Sequence, residues 1–226
     1  RFLQVFLRFF NRTIFEHFPI EYQLEILGES ESAPKEFNYV GNAFERMVYY
    51  HGAHDIGHAL QGLALVGCSS FAAQSDKTTD GKLLIGRNFD FYVGDEFAKQ
   101  KEILLCKPNK GNKFVIITWP GFVGCVSGMN EKGITVTLNA SKSDVPTHTA
   151  TPIAILAREI LQYASTTNDA WIIAQKHQTF VSESILIGSS LENRSFIIEK
   201  TPFQIDSFSV ETNVLKCTNH YQSKLL

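Results

Sequence analysis

The sequence predicts an α+β protein: a helical N-terminal segment, then two layers of antiparallel strands with helices packed outside them. Three observations carry this. Residues 1–62 hold apolar side chains at helical spacing. At Gly67 the character changes to short strand-like runs punctuated by turns. One helical stretch, roughly 151–177, interrupts those runs before strands resume, an order that two sheets with outer helices satisfy. With 226 residues, 44% hydrophobic and 19% charged, the chain can bury a sizeable core as one large domain or a domain plus an appendage.

The first run, "RFLQVFLRFFNRTIFEHF", reads as a helix that Pro19 closes, or beyond which Pro19 opens the next. "SESAPKEF" breaks the pattern and marks a loop around Gly28 to Lys35, and helical spacing returns from Glu36 to Leu65. "CSSFAAQS" and "KLLIGRNFDF" flank "DKTTDG", a hairpin with Asp80-Gly81 as its turn. "KFVIITW", "FVGCVSGM" and "GITVTLNA" read as strands, the last two joined by the tight turn "GMNEKG". Thr151-Pro152 looks like a cap followed by proline at the first helical position, opening "IAILAREILQYA". "TTNDAWIIAQKH" starts a second helix with an Asx or Thr cap. Strands then resume in "SESILIGSS", "RSFIIEK", "FQIDSFSV" and "NVLKCTN". There are no internal repeats and no low-complexity linker.

A net charge of −2 without a polybasic patch argues against nucleic acid or anionic lipid as partner. No apolar run reaches the roughly 18 residues that a membrane span needs. The cysteines Cys68, Cys106, Cys125 and Cys217 are scattered without CxxC spacing, which argues against a zinc knuckle and against a disulfide framework. No cofactor is expected. Eighteen phenylalanines imply an aromatic core or, more sharply, a greasy acyl pocket. The chain starts at Arg1 inside a helix-like run, so an N-terminally trimmed chain is expected and the want of a signal peptide decides nothing; a soluble protein is expected, with cytoplasm and periplasm both open.

Cys68 stands at the boundary "VGCSSF", where apolar helix gives way to strand. It is either inert core or the new N-terminus made when the protein cuts its own Gly67–Cys68 bond. A thiol with a pKa near ~8.5 is a reluctant nucleophile, and an α-amine titrating near ~8 can take its proton. Cleavage would unite base and nucleophile in one residue, and Gly67 has no side chain to crowd the strained peptide. Just upstream, "HDIGH" puts His54 and His58 at i and i+4 of a helix, a zinc-binding spacing. Here Asp55 replaces the usual glutamate, one methylene shorter, and no third ligand follows. A zinc peptidase is therefore the minor alternative. Histidines facing sheet or water, or a propeptide helix that delivers Gly67–Cys68 into the site, fit the stretch better.

Three ordered motifs carry a resemblance. "GCSSFAA" followed by "DGKLLIGRNFDF", then "SGMNEKGITVTLNAS", then "LKCTNHY" resemble the signatures of N-terminal nucleophile (Ntn) hydrolases. The branch is that of choloylglycine hydrolases, penicillin V acylase, acid ceramidase and the isopenicillin-N acyltransferases, the peptidase C45-like group. The likeness covers roughly residues 66–222 and implies a four-layer αββα sandwich of two antiparallel sheets with C–N amide chemistry. It implies Cys68 as nucleophile, Arg87 and Asp90 as the pair of "GRNFD", Asn139 as oxyanion donor and Asn219 as the second family asparagine. Residues 1–67 become a helical prosegment and 68–226 the catalytic domain. Ser69 stands where threonine is commoner. The family's later arginine finds no match before Leu226, which implies C-terminal truncation or a differently built substrate end.

From the residues alone, an acyl intermediate needs amide N–H donors, each worth about 3 kcal/mol, and the Asn139 side chain is such a donor. A hairpin turning at Thr79 puts Cys68 opposite Asp90. Strand parity puts Arg87 and Asp90 on opposite faces, so both reach the site only if the strand ends or bulges between them. The expectation is an autoprocessed N-terminal cysteine amidohydrolase or acyltransferase on a small-molecule N-acyl substrate. A homodimer between processed chains is the assembly expected. The alternative class is a degenerate Ntn-fold binding domain that never cuts.

Overall fold

The computed structural model describes residues 13–59, 66–91, 94–141 and 149–226. The expected first helix therefore lies outside the described residues up to residue 12, and its described end is a short 3-10 turn, Ile14–His17. Pro19 opens the next helix, as proline before a first turn can, because its missing N–H would have no partner there. That helix, α1 (Ile20–Ser30), runs through Gly28, where a loop is expected. Helix α2 (Ala43–Ala59) follows. Its start is held by Asn42, whose Oδ1 accepts the Glu45 N–H at 2.9 Å while Glu45 returns a carboxylate to the Asn42 N–H at 3.0 Å.

The strands form two antiparallel sheets. β1 (Val66–Ala73) and β2 (Leu84–Phe91) make the predicted hairpin, with Gly81 at φ 73° in its loop. Together with β10 (Val214–Cys217) they form a three-stranded sheet in the order β10-β1-β2. A short helix, α3 (Asp95–Lys99), and β3 (Glu102–Cys106) come next. Neither is expected from the sequence. "EILLC" is an unalternating run, and its pairing to β4 (Phe114–Thr118) makes it a strand.

β4 leads to β5 (Ser127–Asn130) and β6 (Ile134–Ala140). The expected strand "FVGCVSGM" is reduced to its end, because the Cys125 N–H donates instead to the Ala154 carbonyl at 2.8 Å. After the helices come β7 (Glu183–Ser189), β8 (Arg194–Lys200) and β9 (Ile205–Phe208). These close a seven-stranded sheet running β3 to β9 in order.

The "GMNEKG" turn also pins a helix. Asn130 Oδ1 accepts the N–H groups of Lys132 and Ile134, and its Nδ2 donates to the Leu161 and Ala164 carbonyls, each at 2.8 Å. Those carbonyls end α4 (Ile153–Tyr163), whose last turn would otherwise leave them without donors. α5 (Thr167–Lys176) has the predicted threonine cap: Thr166 and Asp169 form a capping box. Thr151 does not cap α4 as expected; it bridges to Thr179.

Burial explains the layering. Ile134, Val136 and Leu138 of β6, with Ile185 and Ile187 of β7, pack against Ile153, Leu156, Ile160 and Leu161 of α4. The opposite face of the same strands meets the three-stranded sheet through Leu186, Ile197, Ala72 and Leu215. Each such aliphatic side chain stabilises by about 1.5–3 kcal/mol when fully buried. The N-terminal segment joins this body through Ile14, Phe18, Tyr22, Ile26 and Val48, which enclose Val123 and Ile155. Among the described residues no helix is long and apolar enough to cross a membrane.

Candidate active site

β1 alternates faces, so Cys68, Ser70 and Ala72 all point inward between the sheets, and all three are buried. Cys68 is 5% exposed. Its main-chain N–H donates to Asn219 Oδ1 at 2.9 Å, and Asn219 Nδ2 donates to the Ala140 carbonyl at 2.7 Å. Asn219 therefore spans from the backbone of the expected nucleophile to the end of β6.

Arg87 lies on the inner face of β2. Its Nη2 comes to 3.7 Å from Cys68 Sγ and also donates to the Leu138 carbonyl. Nη1 donates to Ser127 Oγ at 3.0 Å, and the guanidinium lies 4.1 Å above the Phe89 ring. Fixed at three points, it is a positioned cation beside sulfur. Burial pushes the Cys68 thiol up; the nearby Arg87 charge and backbone hydrogen bonds from Ala140 and Asp90 pull it back down.

Asn139 is fully buried on β6. Ser70 Oγ donates to its Oδ1 at 2.9 Å, and its Nδ2 donates to the Cys217 carbonyl at 3.2 Å. Ser70 thus fixes which end of the amide is the donor, and an amide nitrogen has a second hydrogen to offer. Sequence reasoning missed Ser70, although its place two residues after Cys68 puts it on the same strand face.

Asp90 departs from expectation. The hairpin pairs Cys68 with Phe89 and Gly67 with Asp90, one residue out of the register that places Asp90 opposite Cys68. The loop supplies the slip: Ser75 takes φ 54°, starts a 3-10 turn and shifts the apex. β2 runs unbroken through both residues, so Arg87 faces inward and Asp90 outward. The Asp90 carboxylate accepts from Asn88 Nδ2 at 2.9 Å on the outer face. It also borders the Gly67–Cys68 bond, since a Cβ placed on Gly67 would stand 3.7 Å from Asp90 Cβ.

The structure thus brings Cys68, Arg87, Asn139 and Asn219 together and leaves Asp90 beside Gly67. Beyond Arg87 opens a cavity of about 640 Å³, with Ile85, Phe89, Ile103, Ile117, Trp119 and Met129 among its walls and Arg87 and Ser127 at its inner end. Cys106, Cys125 and Cys217 are free thiols like Cys68; burial pushes Cys125 and Cys217 up to about 12, as inert core sulfur should be.

The side chains of His54 and His58 lie outside the described residues. Asp55 between them is fully buried, and its Oδ2 accepts the Ile153 N–H at 3.1 Å, so this carboxylate caps α4 from a distance. Among the described residues no cluster of three metal-binding side chains forms.

The acyl-coenzyme A:6-aminopenicillanic acid acyl-transferase family model matches residues 77–226, about two thirds of the chain. The chain belongs to that family. The match begins at residue 77, C-terminal to Cys68, so it takes in Arg87, Asn139 and Asn219 but not Cys68, which the hairpin joins to the matched part. The fold is that of the N-terminal nucleophile superfamily. A Caenorhabditis elegans N-acylethanolamine-hydrolyzing acid amidase ortholog superposes with a TM-score of 0.56 at 18% identity, covering 69% of this chain and 71% of that one. Among curated proteins, an uncharacterised Archaeoglobus fulgidus protein is 33% identical over 46% of this chain and 18% of its own length. Protein dcd1B of Dictyostelium discoideum is 25% identical over 69% of this chain and 32% of its own. The chain therefore spans less than a third of either relative's length.

Proposed function

We propose that this acyl-transferase family member is an autoprocessed N-terminal cysteine amidohydrolase or acyltransferase, in which Cys68 forms an acyl-enzyme with an N-acyl substrate. One observation carries the reading: the Arg87 guanidinium sits 3.7 Å from Cys68 Sγ while Asn219 holds the Cys68 N–H. In the joined chain that N–H belongs to the scissile peptide. Once Gly67 leaves, the same nitrogen is an amine, already oriented by Asn219 and next to the sulfur whose proton it takes.

The same geometry supports self-cleavage. Cys68 sulfur attacks the Gly67 carbonyl carbon, the C–N bond breaks, and the thiol proton ends on the new amine. Water then hydrolyses the Gly67 thioester. Residues 1–67 are the prosegment and 68–226 the catalytic part. For the substrate, sulfur attacks the amide carbon, an Asn139 N–H steadies the oxyanion, and the amine leaves with a proton. Water or a second amine resolves the acyl-enzyme. The apolar cavity beyond Arg87 supports an apolar acyl group, consistent with a relative whose name records N-acylethanolamine hydrolysis.

The test is intact mass and a thiol probe. Purified protein should appear as two fragments split before Cys68, and an acylating probe should add its mass to the fragment that begins with Cys68. Amide turnover by a chain that never splits, or by Cys68→Ala, would sink the reading.

A further inference from the structure

β10 ends at Cys217, but its ladder with β1 continues through a side chain. The register Ser70↔Cys217, carried two residues further, sets Asn219 opposite Cys68. There the Asn219 amide takes the place of a main-chain pair, accepting the Cys68 N–H at 2.9 Å and donating to the Ala140 carbonyl at 2.7 Å. Residues 218–226 belong to no helix or strand, so no ladder fixes the Asn219 backbone. A segment of that kind keeps its place only where it is tied down.

The ties come from β8. Glu199 follows Ile197 on the inner face of that strand and is fully buried. Its Oε1 accepts the Gln222 N–H at 2.6 Å and its Oε2 accepts the Ser223 N–H at 2.8 Å. Two successive main-chain N–H groups make a small anion-binding concavity, and a carboxylate with one oxygen on each fills it. Tyr221 adds a third tie, its hydroxyl donating to the Lys200 carbonyl at 2.7 Å. Gln222 Nε2 turns back to the Lys216 carbonyl at 2.8 Å and closes the bend onto β10. Asn219 therefore sits in a short bend anchored on both sides, at Cys217 by the sheet and at Gln222 and Ser223 by Glu199.

We propose that Glu199 is a positioning residue of the active site: by clamping the Gln222 and Ser223 N–H groups, it holds the Asn219 amide in register with Cys68. This rests on the reading of Cys68 as nucleophile. An amide that orients a reacting nitrogen has to be placed to about 0.5 Å. In the joined chain the Cys68 nitrogen is the leaving group of the Gly67–Cys68 peptide, and in the split chain it is the base. A loosened bend misplaces its partner in both. Glu199 acts on neither sulfur nor nitrogen itself; its effect passes along the chain to Asn219.

The experiment has two readouts. The first is hydrogen exchange at the residue-68 amide in the full chain carrying Cys68→Ala, which stays joined. Adding Glu199→Gln, which keeps one acceptor oxygen and loses the other, should speed that exchange about tenfold. The amides of residues 70–73, paired within the sheet, should exchange as before. Asn219→Ala should speed residue 68 at least as much, and Glu199→Gln added to it should change nothing further, because the two act in series. The second readout is the rate of splitting before residue 68 in the chain with Cys68 intact, followed by intact mass; Glu199→Gln should slow it about tenfold. If Glu199→Gln does not fold, Tyr221→Phe carries the same expectations at about threefold. Unchanged exchange at residue 68, a rise spread evenly over β1, or a further rise in the double variant overturns the proposal, and so does splitting at the wild-type rate. A chain that never splits yet shows the residue-68 response would refute the nucleophile and leave the clamp on Asn219 standing.

Discussion

Asp90 and Cys68 occupy opposite faces of one hairpin: Asp90 pairs with Gly67 and lies outside, while Cys68 pairs with Phe89 and points between the sheets. The carboxylate cannot then act on sulfur. It borders the peptide that would break, and a new ammonium at Cys68 would form within its reach. Asp90→Asn should lower turnover about a hundredfold, the equivalent of roughly 3 kcal/mol for a lost charge-assisted contact. Its melting temperature should hardly move, because the side chain is exposed. Parallel losses in rate and melting temperature would make Asp90 structural.

Cys68→Ala should remain one chain by mass under conditions in which wild type splits. A split before residue 68 in the alanine variant would mean that another protease makes the cut.

Ser70→Ala removes the hydroxyl that orients Asn139. The amide can then turn, so kcat should fall about tenfold with little change in KM, and iodoacetamide should still label Cys68. Asn139→Ala should cost more, about a hundredfold in kcat, since it removes the donor itself. Equal losses from both variants would mean that Ser70 acts on something other than Asn139.

The N-terminal segment is held by a buried charge as well as by apolar packing. Arg158, 3% exposed, grips Glu25 with both nitrogens at 2.9 and 2.7 Å and donates to the Val123 carbonyl at 2.8 Å. Glu25→Gln should lower unfolding stability by about 1–3 kcal/mol, at the modest end because Glu25 keeps contact with water. Urea midpoints at neutral pH would measure this, and an unchanged midpoint would mean the pair is idle.

His51 predicts how stability depends on pH. Its Nε2 accepts the Val123 N–H at 2.8 Å, so its Nδ1 carries the proton and donates to the Met47 carbonyl at 2.7 Å. Burial lowers its pKa to about 4. The unfolded imidazole takes a proton near 6.5, so the unfolded state binds more protons between those values. Its contribution is therefore complete above about pH 6.5 and lost as pH falls toward 4, on the order of 3 kcal/mol in all. His51→Gln, which cannot titrate, should flatten the slope of unfolding free energy between pH 6.5 and 4.5. Parallel slopes in both proteins would assign the acid sensitivity elsewhere.

Local chemistry was legible from the sequence. Helix α5 was readable from Thr166 and Asp169, the hairpin from Asp80-Gly81, and β6 from "GITVTLNA", because each depends on neighbours a few residues away. The motifs around Cys68, Arg87, Asn139 and Asn219 were likewise written in order along the chain. What the sequence could not determine was anything set by partners far away. The hairpin register turned on the backbone of Ser75, β3 on its pairing to β4, and the cap of α4 on a carboxylate from α2. Glu183 carried no signal, since a glutamate opening an apolar strand reads like any exposed end. Only the pairing of β7 between β6 and β8 carries it into the interior, and burial far from water is what makes its carboxyl reluctant to ionise.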